Sequence, residues 1–162
     1  MDSTPSDRRS HRRQCGQPAS DERAATCRGP VDTTYRTEVP LEVGLVGSAE
    51  LDVVDADTAI ALGSGDVPVL GTPRVVALCE AATVAAVAGH LDEGQTSVGM
   101  KVQLDHLAPT PVGSHVDAEA VLEKVEGRRL TFKVSVSDSS GLVAAGRITR
   151  VAVDTDKFLS KL

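Results

Sequence analysis

Three side chains of the types that carry acid–base chemistry stand out in this sequence: Thr72, Glu80 and His106. Glu80 is the one charged residue between Arg74 and His90, in a stretch made mainly of Val, Ala and Leu. An ionised carboxylate in apolar surroundings is costly unless it is paired, so such a group usually has a function. Imidazole titrates near neutral pH, and an imidazole beside a carboxylate is suited to general acid–base catalysis.

The segment that carries Glu80 is predicted to form a helix over residues 72–89. Thr72 is a good N-cap, the following Pro73 suits the first helical position, and Gly89 is a good terminator. Because this helix is apolar all round, we expect it to be buried. Glu80 follows Thr72 by eight positions, which corresponds to about 12 Å along the helix axis. Either substrate and water lie between the two side chains, or the site is assembled from two subunits.

The second segment of the candidate site is the strand-like run SVGMKVQLDHL, residues 97–107. Alternation places His106 on one face with Met100, Val102 and Leu104, and we expect this face to point toward the helix.

Each candidate could also have a purely structural role. Amides across the core could satisfy Glu80, a neighbouring carbonyl could cap His106, and Thr72 could serve only as a helix cap. The occurrence of both an isolated acid and an inward-facing imidazole in one small domain favours a functional site.

The pattern along the chain predicts an α+β domain. Residues 1–34 hold six Arg and five acids with almost no large apolar residues, which is typical of a disordered tail. The folded domain spans residues 35–162, with strands predicted at 41–54, 97–108, 114–125, 129–138 and 142–154. Four of these strands are expected to be antiparallel neighbours in one sheet, which has one solvent-exposed face and one face covered by the helix. So much apolar surface in one two-layer unit predicts a homodimer or a larger assembly.

Composition excludes several classes of function. The net charge is -6, and residues 35–162 alone carry 11 basic and 18 acidic side chains, which argues against a nucleic-acid partner. No 18-residue apolar run and no signal segment is present, so we expect neither membrane insertion nor export. Cys15, Cys27 and Cys79 are scattered, which suits a cytoplasmic location, and neither Cys nor His residues show metal-ligand spacing.

The spacing of these residues resembles that of a known family. GTP at 71–73, Glu80, His106 within DHLAPTPVG, VEGRRLTFKVSVSD at 125–138 and a closing GRITRVAVD at 146–154 resemble the fluoroacetyl-CoA thioesterase-like branch of the hot-dog-fold thioesterases. The similarity runs from about residue 55 to residue 158. It implies a hot-dog dimer, in which a five-stranded antiparallel sheet wraps one long central helix.

The resemblance also implies a reaction and a set of residues. The reaction is hydrolysis of a small acyl-CoA thioester to free acid and CoA, with no metal and no cofactor other than the CoA of the substrate. The catalytic Thr, Glu and His of the family correspond to Thr72, Glu80 and His106. A glycine near the reacting carbonyl corresponds to Gly99, and a substrate-binding arginine to Arg150. Gly99 could equally mark a bulge or a close approach in a strand, and Arg150 could belong to a surface ion pair.

One segment departs from the pattern of the family. The selective enzymes carry aromatic residues in the connection before the helix, whereas this chain has ALGSGDVPVLG at 61–71. We therefore expect no selectivity for fluoroacetyl groups. A non-catalytic acyl-CoA-binding hot-dog protein is the alternative function, and a hot-dog dehydratase is a weaker one because the Asp-containing helix motif of those enzymes is missing.

Overall fold

The computed structural model of the protein describes residues 41–162. The predicted disordered tail, residues 1–34, and the first residues of the predicted domain, 35–40, lie outside the described residues. The described elements are β1 (Val46–Asp52), a short 3-10 helix (Asp55–Asp57), α1 (Thr72–Ala86), β2 (Gln95–His106), β3 (His115–Glu126), β4 (Arg129–Asp138), β5 (Gly141–Asp154) and α2 (Thr155–Leu159). The predicted order of one strand, one long helix and four strands is confirmed. Within residues 41–162, no helix is long and apolar enough to cross a bilayer.

The five strands form one antiparallel sheet in the order β1-β3-β4-β5-β2. The strands β3, β4 and β5 follow one another through tight turns, where Gly127 and Gly141 adopt positive φ angles of 59° and 132°. The first two strands of the sequence lie at opposite edges of the sheet. As a result, α1 must cross one face of the sheet between them.

The core lies between α1 and that face. Alternate residues of β3 and β4 point into it and are buried, as their pattern predicts: Val116, Ala118, Ala120, Leu122, Leu130, Phe132, Val134 and Val136. The helix contributes Val75, Leu78, Cys79, Ala82 and Ala86. Phe132 is the one aromatic side chain in this core, so small aliphatic side chains fill most of the space between the layers.

The boundaries and burial of α1 differ from the prediction. Gly71 is the N-cap, and Thr72 is the first helical residue and makes no capping hydrogen bond. The helix ends at Ala86, three residues before Gly89, whose φ of 79° is left-handed. The expectation that α1 is buried all round is wrong for the single protomer, because one side of the helix is exposed and Val84 has an exposed fraction of 47%.

Gly47 in β1 allows the closest contact between the helix and the sheet. A methyl group at this position would overlap the backbone of Ala82 and Ala86 in α1. The atoms that it would meet belong to the helix backbone, which cannot rotate away as a flexible side chain can. Gly47 therefore fixes how near α1 lies to β1.

We expect Gly47→Ala to destabilise the fold by about 2–3 kcal/mol, because the added methyl group forces the two layers apart. The free energy of unfolding in urea measures this change. Ser48→Ala is the control: Ser48 is the exposed neighbour of Gly47 in β1 and should change stability by less than about 0.5 kcal/mol. Equal stability of Gly47→Ala and wild type would contradict this close packing.

Candidate active site

The first part of the candidate site joins the start of α1 to the end of β2. The hydroxyl of Thr72 and Nδ1 of His106 lie 3.0 Å apart and share a hydrogen bond. Thr72 is free to make this bond because Gly71, not Thr72, occupies the N-cap position. His106 Nε2 is enclosed and has no hydrogen-bond partner within residues 41–162. An imidazole nitrogen that is enclosed and has no hydrogen-bond partner is unusual in a folded protein, which favours a functional role for His106.

The connection before α1 holds Thr72 in place through Asp57. Asp57 Oδ1 accepts a hydrogen bond of 2.7 Å from Arg74 Nε, and its backbone oxygen accepts one of 2.9 Å from Gly71. The Val54 amide also donates to this carboxylate and, together with Arg74, holds the pKa of Asp57 below its ordinary value despite its burial. Sequence reasoning missed Asp57, and the acidic run DVVDAD at 52–57 contained no signal to separate it from its neighbours.

The second part of the site is centred on Glu80. Arg150 Nη1 donates to Glu80 Oε1 at 3.2 Å, and the two side chains are 8% and 37% exposed. Burial lowers the pKa of the Arg150 guanidinium, and the charge of Glu80 acts in the opposite direction. Glu80 is therefore only partly buried, and its partner is the guanidinium of Arg150 rather than amides across the core. The alternative of a surface ion pair for Arg150 is also wrong, because Arg150 is buried.

Ser97 holds the other side of Arg150 and was missed by sequence reasoning. Its hydroxyl accepts a hydrogen bond of 2.9 Å from Arg150 Nε, and its backbone oxygen accepts one of 2.8 Å from Nη2. Ser97 is itself buried, with an exposed fraction of 7%. These contacts fix the guanidinium from two sides, so its remaining nitrogen is directed at Glu80. Only its burial distinguishes Ser97 from other serines, and the sequence carries no signal of that burial.

Gly99 lies directly beneath the carboxylate of Glu80. A methyl group on Gly99 would overlap Glu80 Oε1, so glycine is required for Glu80 to reach Arg150 across β2. Gly99 also precedes a bulge, since the pairing of β2 with β5 shifts between Gly99 and Lys101. Both structural roles expected for Gly99, the bulge and the close approach, are therefore observed.

The bulge corrects the predicted alternation of β2. Met100 is the extra residue at the register shift and is 50% exposed, instead of lying on the helix-facing side. Ser97 and Gly99 before the bulge then share the helix-facing side with His106 after it. Without the bulge, Gly99 and His106 would point to opposite faces, because they are seven positions apart in the sequence. The prediction that His106 points toward the helix is confirmed by its bond to Thr72.

The two parts of the site do not meet within one protomer. Among residues 41–162, no hydrogen bond or ion pair joins Glu80 to Thr72 or His106. Along β2, Gly99 and His106 are about 20 Å apart at the usual rise of a strand. The structure therefore brings Thr72 together with His106, and Glu80 with Gly99 and Arg150.

A cleft of about 320 Å³ opens beside the first pair. Thr72 and His106 line it together with residues 107–109 and the connection before α1, from Ala59 to Leu70. A side chain of Thr72 or His106 can thus contact a molecule bound there.

Cys79 and a cluster around His115 carry reactive side-chain types outside this site. Burial raises the pKa of the Cys79 thiol to about 11, so this cysteine is a protonated core residue and not a nucleophile. Glu50, His115 and Asp117 form an exposed group of metal-ligand types on the outer face of the sheet. Asp52 accepts from His115 Nδ1 at 2.7 Å and raises the pKa of this imidazole. Nδ1 of His115 contacts Asp52 at 2.7 Å and Nε2 contacts Asp117 at 3.4 Å, so both ring nitrogens already have carboxylate partners.

Comparisons with known proteins agree with this architecture. The sequence profile of the family described as fluoroacetyl-CoA-specific thioesterase matches residues 53–156. The fluoroacetyl-CoA thioesterase of Streptantibioticus cattleyicolor is 37% identical over 94 residues, which cover 58% of this chain and 68% of that protein. A solved structure of a fluoroacetyl-CoA thioesterase superposes with a TM-score of 0.71 at 31% identity, covering 75% of this chain and 94% of that one. A hot-dog-like protein from Thermanaerovibrio acidaminovorans gives 0.68 at 28% identity, covering 74% and 88%. The predicted hot-dog fold is confirmed.

We expect Glu80 and Arg150 to be strongly coupled in stability, because Glu80→Gln leaves a buried guanidinium without its charged partner. In a double-mutant cycle with Arg150→Met, urea unfolding should give a coupling free energy of about 2 kcal/mol.

The exposed pair Arg147–Glu123, with an N–O distance of 2.9 Å, is the matched control. Its cycle should give less than about 1 kcal/mol, because solvent screens the interaction. Equal coupling in the two cycles would show that burial of Arg150 has no energetic consequence.

Proposed function

The chain belongs to the fluoroacetyl-CoA-specific thioesterase family and is an enzyme of the thioesterase class, and from this premise we propose that it hydrolyses a small acyl-CoA thioester with Thr72, Glu80 and His106. The observation that carries the assignment of residues is the hydrogen bond between Thr72 and His106 at the mouth of a cleft. The second support is the carboxylate of Glu80, which reaches solvent beside Arg150.

The site is completed, in this proposal, by a second copy of the chain. β2 is a 12-residue strand at the edge of the sheet, and such an edge readily pairs with another strand. Met100 and Val102 of this strand are 50% and 40% exposed, and Val84 of α1 is 47% exposed. Val84 lies one helical turn from Glu80, so this apolar surface adjoins the second part of the site. A homodimer formed through β2 would cover this surface.

Symmetry gives this dimer a specific register. A two-fold axis through Gln103 pairs the two β2 strands antiparallel and, because the bulge at Met100 takes up one residue, sets Gly99 opposite His106 of the partner subunit. Residues directly opposite in an antiparallel pair share a face and lie about 5 Å apart. Glu80, which lies over Gly99, would then face the Thr72–His106 pair of the partner subunit. Each dimer would contain two such composite sites.

The chemistry follows from these positions. Glu80 of one subunit takes a proton from water, and the water oxygen attacks the thioester carbonyl carbon. The amide of Thr72, at the first turn of α1, has no acceptor within the helix and can stabilise the developing oxyanion, as can amides near Gly99. His106, oriented by Thr72, donates a proton to the sulfur as the carbon–sulfur bond breaks. The products are the free acid and CoA.

This scheme requires no metal and no cofactor other than the CoA portion of the substrate. Thioester hydrolysis needs a base, an acid and a stabilised oxyanion, and Glu80, His106 and the backbone amides supply these functions. Arg150 acts through Glu80 in this scheme and does not itself bind the substrate.

We expect Glu80→Gln and His106→Gln each to lower kcat for acyl-CoA hydrolysis by about 100-fold or more, because each removes a proton-transfer group. Release of the CoA thiol measures the rate, and circular dichroism checks that the variants are folded. Glu119→Gln, an exposed carboxylate in β3, should retain full activity. Full activity of Glu80→Gln would refute the assignment, and binding of acyl-CoA without turnover by wild type would favour the non-catalytic alternative.

We expect the two inactive variants to complement each other when they are refolded together. A heterodimer of Glu80→Gln and His106→Gln has one composite site with both groups intact, so activity should return to about a quarter of the wild-type value for random pairing. Each variant refolded alone is the control. If the mixture stays inactive although heterodimers form, each site is built within one chain.

A further inference from the structure

We propose that the cleft beside Thr72 and His106 is an acyl subsite selective for uncharged aliphatic acyl groups of about three to six carbons. The inference rests on the proposed thioesterase function and adds to it the chemical class of the acyl group.

Most of the side chains that line the cleft are aliphatic. They include Ala59, Val67, Val69, Leu70, Leu107 and Pro109. Apart from Thr72 and His106, Ser64 is the one polar side chain, and no Asp, Glu, Lys or Arg lines the cleft within residues 41–162. A carboxylate on the acyl group would lose hydration beside these aliphatic side chains and would meet no described Lys or Arg side chain there, which is unfavourable.

The walls of the cleft are fixed by backbone hydrogen bonds. The Ala59 amide donates to Val69 O at 2.8 Å and so closes the connection before α1 into a loop. Within the loop, the Ser64 amide donates to Ala59 O at 2.9 Å. The Leu70 amide donates to Thr110 O at 2.8 Å and so ties the end of the connection to the segment after β2. The cleft is therefore already shaped in the free protein, and its dimensions limit what it binds.

The size of the cleft sets the length of the acyl chain. Its 320 Å³ lies at the lower end of the range for small-molecule sites, about 300–1,000 Å³. A methylene group occupies roughly the volume of a water molecule, ~30 Å³. A short chain, the thioester and the attacking water fill this volume, whereas a chain of sixteen carbons does not fit.

Exposed apolar side chains at the rim also point to an apolar ligand. Val67 is 52% exposed and Leu107 is 60% exposed, although both line the cleft. Apolar side chains that flank a cleft in this way are suited to contact an apolar ligand. An aliphatic chain that enters beside His106 would cover both side chains.

Thiol release from four CoA esters tests the proposal on the full chain: acetyl-, butyryl-, succinyl- and palmitoyl-CoA. Butyryl- and succinyl-CoA have equal chain lengths and differ by the terminal carboxylate. We expect kcat/KM for butyryl-CoA to exceed that for acetyl-CoA by about tenfold, since each buried methylene contributes about fourfold. Succinyl- and palmitoyl-CoA should each be hydrolysed at least about tenfold more slowly than butyryl-CoA.

A matched pair of variants assigns this preference to the cleft. Val67→Asp places a charge at the rim and should lower kcat/KM for butyryl-CoA about tenfold more than it lowers kcat/KM for acetyl-CoA. Val46→Asp is the control, because Val46 is 57% exposed in β1 and lies near the opposite end of α1. This variant should leave kcat/KM unchanged for both substrates.

The outcomes separate this inference from the proposed function. Hydrolysis that favours acetyl-, succinyl- or palmitoyl-CoA over butyryl-CoA overturns the acyl class and leaves the thioesterase proposal standing. Equal effects of Val67→Asp on butyryl- and acetyl-CoA overturn the location of the subsite. Absence of thiol release from all four esters by the folded protein overturns the proposed function, and the inference with it.

Discussion

The buried guanidinium of Arg150 is the constraint on which the rest of the site depends. Taking this charge out of water is favourable only if it is paired and hydrogen-bonded, and Glu80 and Ser97 meet that requirement. The three residues belong to β5, α1 and β2, so one cation joins three elements of the fold. Its demand for a partner accounts for a carboxylate in an otherwise apolar helix. The same contact holds Glu80 at the edge of the core, where it meets solvent.

The scarcity of aromatic residues permits this arrangement. Phe132 is the one aromatic side chain in the core, and the helix approaches β1 so closely that only Gly47 fits beneath Ala82 and Ala86. A helix that lies this near the sheet brings Glu80 within reach of Gly99 and Arg150. One side of α1 and the edge strand β2 remain exposed and carry apolar side chains. These surfaces are what a second copy of the chain would cover.

The bulge at Met100 places the two parts of the candidate site on the same face of the sheet. His106 follows Gly99 by seven positions, and an unbroken strand would direct the two residues to opposite faces. The extra residue reverses the alternation, so Glu80 over Gly99 and His106 beside Thr72 lie on the same face of the sheet. Only a strand with this irregularity allows an antiparallel partner to bring an acid from one subunit to the imidazole of the other.

The sequence by itself determined the order of the elements and the buried faces of β3 and β4, because these follow from local periodicity and turn residues. It also singled out Thr72, Glu80 and His106 as candidates by their chemical types. It did not reveal that Gly71 caps α1, that Ser97 and Asp57 support the site, or that Met100 interrupts β2. The tertiary structure decided these points, because each depends on contacts between residues that are distant along the chain. Ser97 and Arg150 are 53 positions apart in the sequence, yet the fold places their side chains 2.9 Å apart, and no local pattern encodes such a contact.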